Sequence, residues 1–141
     1  MWKNFQNKIN LSLINSKYVN SNEPGVTGNK VEFVPDLNFK TGIKFGYKNF
    51  ATYLQYSYLS DQFTDSSNAI LSNLSGVIGL IPSYDIMDFS ISQKFKKFKL
   101  EMGINNVLNS YYFTRRATGY PGPGIIPSPP RNFYLTTQFK F

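Results

Sequence analysis

The sequence predicts an all-β fold, an antiparallel up-and-down β-barrel segment of about six strands. Three observations carry that expectation. Apolar and polar residues alternate with a period of two in six separate runs, the spacing of a strand whose two faces meet different surroundings. The charged residues inside those runs all fall on the polar face. No apolar stretch approaches the ~20 residues that a membrane-spanning helix needs.

The first run is "NFQNKINLSL", where Phe5, Ile9, Leu11 and Leu13 oppose Gln6, Lys8, Asn10 and Ser12. In "LNFKTGIKFGY", Leu37, Phe39, Thr41, Ile43, Phe45 and Tyr47 oppose Asn38, Lys40, Gly42, Lys44 and Gly46, with Asp36 on the same polar side just before the run. "NFATYLQYSYL" places Phe50, Leu54, Tyr56 and Tyr58 together. In "IMDFSISQKF", Met87, Phe89, Ile91 and Phe95 face away from Asp88, Ser90, Ser92 and Lys94. "FKLEMGINNVL" sets Phe98, Leu100, Met102 and Ile104 against Lys99, Glu101, Gly103 and Asn105. The last run, to the final residue, sets Phe133, Leu135, Phe139 and Phe141 against Tyr134, Thr136, Gln138 and Lys140. Only uncharged residues break the pattern: Asn7, Thr41, Thr52, Gln93 and Thr137.

Connection lengths alternate. Tight turns near Gly46–Asn49 and at Lys96-Lys97 contrast with long connections over about 15–32, 62–85 and 109–130. Short turns at one end and long loops at the other are the asymmetry of an outer-membrane barrel. A water-soluble barrel alternates in the same way with its apolar face inward, so alternation alone leaves the lipid-facing side open. Two features favour the membrane. Tyr and Phe gather toward strand ends, as in "YLQYSYL" and "NSYYF", where interfacial girdles belong. Six strands also leave two open edges, costly in lipid, and are fewer than the about 8 of the smallest usual barrel. The chain reads as a slice of something larger.

Composition narrows the chemistry. The 141 residues carry 15 Lys and Arg against 8 Asp and Glu, a net charge of +7, which favours anionic partners. Aromatic residues make up 17%. The absence of Cys removes disulfides and thiolate metal sites, and the absence of His removes the commonest catalytic base and zinc ligand. No catalytic residue, cofactor or resident metal is expected. "MWKNFQNKIN" lacks the apolar centre of a signal peptide.

The stretch "GINNVLNSYYFTRRATGYPGPGIIPSPPRNFYLTTQFKF" resembles the C-terminus of TonB-dependent outer-membrane receptors, most closely the ferric-citrate-receptor-like, siderophore-receptor branch. The shared pattern is an Asn-Leu-Phe-Asp type turn (here Asn106-Val107-Leu108-Asn109), a Tyr-Phe, a basic pair, a Gly-Tyr-Pro-Gly-Pro-Gly loop, an Arg and a final aromatic strand. Upstream, "VEFVPDLNFKTGIKFGYKNFATYLQYSYLSDQFTDSSN" and "GLIPSYDIMDFSISQKF" look like preceding strands of the same family, so the likeness runs from Val31 to Phe141. It implies that residues 1–141 are the C-terminal part of a barrel of about 22 strands with a plugged lumen. It also implies that Met1 marks a truncation or an incomplete reading frame. The implied function is import of a ferric chelate, iron citrate or siderophore, across the outer membrane of a Gram-negative bacterium, as a multi-pass β-barrel. The implied partners are outer-membrane lipid, the missing N-terminal barrel and plug, the TonB energy-coupling complex acting through that plug, the barrel assembly machinery and the ferric ligand.

Arg115, Arg116 and Tyr120 fall in what the resemblance makes the last extracellular loop. Guanidinium groups grip carboxylates in bidentate fashion, which suits a ferric carboxylate complex; solvation, or pairing with lipopolysaccharide phosphates or neighbouring loops, is the competing reading. Phe133, Leu135, Phe139 and Phe141 are expected to face lipid on the closing strand, with Phe141 read by the assembly machinery. Arg131 is expected to pair with a carboxylate in the lumen. Five prolines and three glycines in "GYPGPGIIPSPP" stiffen one loop shape. Asp61, Asp65 and Asp85 lack calcium-site spacing and read as solvated loop acids. The polar-face lysines either attract anionic substrate or pair with acids of the plug.

Three other functions compete. Catalysis lacks a base-activated nucleophile. Nucleic-acid binding needs aromatics interleaved with basic residues on one face, whereas here they mostly take opposite faces. A small outer-membrane barrel or adhesin-like protein without transport, or a receptor for cobalamin, peptide or glycan, shares the alternation and stays open.

Overall fold

The computed structural model describes residues 4–119 and 122–140. Eight strands form among them: β1 (Asn4–Leu13), β2 (Leu37–Tyr47), β3 (Phe50–Leu59), β4 (Tyr84–Lys94), β5 (Phe98–Asn105), β6 (Phe113–Ala117), β7 (Gly124–Pro127) and β8 (Asn132–Phe139). Six make one antiparallel sheet in the order β1-β2-β3-β4-β5-β8, and β6 pairs with β7 in a separate hairpin. The sheet is open: β1 and β8 are its two edges.

Register carries the alternation from strand to strand. Ile43 lies opposite Leu54, Leu54 opposite Phe89, Phe89 opposite Ile104, and Ile104 opposite Phe133. One apolar row therefore crosses five strands without a slip, because a shift of a single residue would turn a strand's whole apolar set to the wrong side. Four of the five uncharged exceptions on this face find partners. Thr52 donates its hydroxyl to the Ser90 carbonyl at 3.0 Å, Thr41 donates to Asn7 Oδ1 at 3.4 Å, and Gln93 donates to the Lys94 carbonyl at 3.2 Å.

The other face is concave. Gln6, Lys8, Lys44, Tyr53, Ser90 and Glu101, drawn from five strands, border one groove of about 470 Å³. Side chains that far apart in a sheet share a groove only if the sheet curls toward them. The apolar face is thus the convex one, and among the described residues no second layer covers it. Phe5 is 62% exposed, Leu11 61% and Leu135 66%. The buried apolar residues among those described, Val26 and Ile81, both lie in loops.

Two expectations are corrected. The last long connection contains the β6–β7 hairpin instead of being loop throughout, with a register shift between Phe113 and Arg116. The fifth strand stops at Asn105 and does not run on to Leu108. Asn106 and Asn109 take left-handed backbone angles, φ 53° and 56°, which no strand accommodates. The eighth strand is described as far as Phe139; Phe141 lies outside the described residues.

Candidate functional site

All three long loops, residues 14–36, 60–83 and 106–131, emerge from one end of the sheet. Backbone and side-chain amides join the first to the second. Asn68, itself at φ 54°, accepts from the Lys30 N–H at 2.7 Å and donates to the Lys30 carbonyl at 2.9 Å. Asn29 donates to the Ser66 carbonyl at 2.9 Å, and the Phe33 N–H to the Phe63 carbonyl at 2.9 Å. An amide side chain that both gives and takes replaces a backbone partner, which suits irregular segments lacking a ladder. Within the second loop, Gln62 and Ile81 exchange both backbone hydrogen bonds, closing its base.

Two side-chain pairs with ionisable partners help hold the first loop to itself. Lys30 is paired with Asp36, and that bond holds the Lys30 ammonium above its ordinary range. Tyr18 donates its hydroxyl to Glu32, which pushes the phenol pKa up.

The third loop is anchored by Arg116. Its guanidinium donates to the Gly76 carbonyl at 2.8 Å and the Leu80 carbonyl at 2.9 Å, and stands 5.3 Å from the centre of the Phe113 ring. Its Nε is buried without a hydrogen-bond partner among the described residues. The loops approach closely here: a Cβ on Gly76 would come within 3.1 Å of the Gly124 Cα. Arg115, the next residue back, is exposed. The basic pair thus divides into an outward cation and a strut between loops. Tyr120 lies outside the described residues.

The Asn-rich turn after β5 is a clasp. Asn106, 3% exposed, donates to the Ser110 carbonyl and accepts from the Ser110 N–H, both at 2.9 Å, while its own N–H reaches Asp88 Oδ1 at 2.9 Å. Arg131 donates to the Val107 carbonyl at 2.6 Å and, through its backbone, to Asn109 Oδ1 at 3.2 Å. Its partner is this turn, in place of the lumenal carboxylate expected from sequence. A guanidinium beside a non-helical turn finds unpaired carbonyls close at hand.

Phe133, Leu135 and Phe139 stand on the convex face of β8, at 72%, 66% and 61% exposure. On the concave face the lysines remain in the open groove, with Lys99 bonded to Glu101 at 2.6 Å. Asp61, Asp65 and Asp85 do not converge; among the described residues no three carboxylates gather closely enough to hold a metal ion. Sequence reading missed Asn68 and Gly76 as loop fasteners. A lone Asn or Gly in a loop carries no local mark of a partner 38 or 40 residues away.

No family model matches the chain. Its fold does match solved structures. The ferric citrate transporter FecA in its unliganded form matches with a TM-score of 0.75 over 84% of this chain, at 25% identity. The siderophore receptor PiuA from Acinetobacter baumannii matches with 0.77 over 97%, at 18% identity. The ferric yersiniabactin uptake receptor FyuA from Yersinia pestis matches with 0.77 over 97%, at 15% identity. The chain spans only 18%, 20% and 21% of those proteins, about a fifth of their length. The open, curled, six-stranded sheet with long loops at one end is similar in fold to part of the barrel of such TonB-dependent receptors.

Proposed function

We propose that this chain supplies the C-terminal barrel strands of an outer-membrane receptor that imports a ferric chelate. A plug and the remaining strands complete it, and the TonB complex drives it through the plug. The observation that carries the proposal is the pairing of an uncovered apolar convex face with a polar concave one beneath a fastened loop platform. The likeness to a ferric citrate transporter, at 25% identity, supports the choice of ligand. In this reading Arg115 and Tyr120 face the anionic chelate, and Arg116 holds their loop in place. The convex residues of β8, with Phe141, serve barrel closure and recognition by the assembly machinery.

The test is uptake. Deleting the gene for the full-length receptor under iron limitation is expected to abolish import of radiolabelled iron from one ferric chelate, ferric citrate tried first. Collapsing the proton-motive force in the parent strain is expected to do the same. Unchanged iron uptake from every chelate tried, with a loss of cobalamin, peptide or glycan uptake in its place, would move the substrate and leave the receptor standing. No change in any uptake would remove the transport reading.

A further inference from the structure

The end of the sheet opposite the loops has its own chemistry. Its two hairpin turns share one pattern: Tyr47-Lys48-Asn49-Phe50 and Phe95-Lys96-Lys97-Phe98. In each, an aromatic residue on the convex face precedes the turn and another follows it. Tyr47 and Phe50 are directly paired across the strands, and Lys48 reaches back over the Tyr47 ring, 5.3 Å from its centre. Phe95 and Phe98 stack at 4.3 Å, and Phe98 continues to Phe139 at 6.1 Å. The turns are tied into one rim: the Lys94 N–H donates to the Asn49 carbonyl at 2.8 Å and the Lys140 N–H to the Lys97 carbonyl at 2.9 Å.

Charge divides along the same axis. Lys48, Lys96 and Lys97 are exposed in the turns. Lys44, Lys94, Lys99 and Lys140 stand just behind them on the polar face. Glu101, already bonded to Lys99, is the only carboxylate at this end among the described residues. The other seven of the chain's 8 acidic residues lie in the loops or the loop-side half of the sheet. Like charges set opposite one another, as Lys94 and Lys99 are, repel unless something anionic lies between or near them.

We infer that this rim is a binding site for the headgroup of an anionic glycerophospholipid, of the phosphatidylglycerol type, in the leaflet it meets. The inference rests on the membrane reading above. Aromatic rings at that level lie among the glycerol and upper acyl groups, where interfacial Tyr and Phe belong. A lysine one residue beyond, on a flexible stem, then carries a compact ammonium to the depth of the phosphate. The ring–lysine–ring order is present in both turns.

The test uses the full-length receptor, titrated in detergent with short-chain phosphatidylglycerol or phosphatidylethanolamine and read by native mass spectrometry. The wild type is expected to retain phosphatidylglycerol in preference. Changing Lys48, Lys96 and Lys97 together to Ser is expected to weaken that preference by about five-fold per lysine removed. Changing Lys8 and Lys40 to Ser, on the polar face away from the rim, is expected to leave it unchanged. Equal retention of both lipids by the wild type overturns the inference, as does an undiminished preference in the rim variant or an equal fall in both variants. Cross-linking from Lys97 to an acidic protein, with the lipid preference undiminished in the rim variant, overturns it in favour of a protein partner. A receptor that fractionates with the outer membrane yet shows no lipid preference sinks only this inference. One that does not fractionate there sinks the membrane reading itself.

Discussion

Tyr134 lies across Gly103, its direct partner on the neighbouring strand, and fills the space where a Cβ would stand. Its hydroxyl donates to Glu101 Oε1 at 3.4 Å. The arrangement recurs two strands away, where Tyr53 covers Gly42 and donates to Gln55 Oε1 at 2.9 Å. In both places a glycine in mid-strand, ordinarily weakening, lets a ring lie flat on the polar face. Gly103→Ala is therefore expected to push the ring off the sheet and cost about 1–3 kcal/mol. Urea unfolding of the full-length receptor in detergent reads this as a lowered midpoint, and adding Tyr134→Ser should restore most of it. A midpoint unchanged by Gly103→Ala would show that the ring moves freely.

Arg115 and Arg116 are adjacent in sequence and unequal in structure. Arg116→Ala removes two charge-assisted hydrogen bonds to the second loop, a loss on the order of 2–3 kcal/mol for the loop contact. The expected result is faster protease cleavage within residues 60–83 and 106–131 of the folded receptor. Arg115→Ala is expected to leave the cleavage pattern alone and to weaken only ligand binding. Identical cleavage in the two variants would dissolve the distinction.

The two faces of β3 make opposite predictions for the same substitution. Leu54 sits on the convex row and Gln55 beside it on the concave side. Leu54→Arg, near the middle of the strand, is expected to cost about 2–4 kcal/mol in a bilayer, whereas Gln55→Arg meets water and costs little. Heat-modified mobility on a gel measures the folded fraction of each. Equal loss from both would contradict the assignment of the lipid side.

Alkaline pH is expected to loosen the first loop. Hydrogen bonding to Asp36 raises the Lys30 pKa, and hydrogen bonding to Glu32 raises that of Tyr18. A group whose pKa rises on folding contributes its full stability below its unfolded value and loses it as pH climbs through the raised one. These contacts thus persist at neutral pH and are lost above about pH 10. Limited proteolysis within residues 14–36 should quicken across that range, and less so in Tyr18→Phe. Because the groups are only half-buried and partly screened by solvent, the effect is modest.

The strands and their faces were legible in the amino-acid order by itself. Alternation of the kind seen from Leu37 to Tyr47 is a local property with a period of two, and each strand's apolar set must face one way whatever its neighbours are. The short turns were legible too, since a break of two residues between alternating runs leaves room only for a hairpin. The tertiary structure alone decided which way the sheet curls, which of two adjacent arginines is free, and that Arg131 serves a turn. It alone disclosed the β6–β7 hairpin and the joining of Lys30 to Asn68. Those outcomes depend on pairings between residues tens of positions apart, made by irregular loops that have no periodicity to read. The free energy that selects them comes from satisfying particular carbonyls and amides in space, and that information exists only once the strands have brought the loops together.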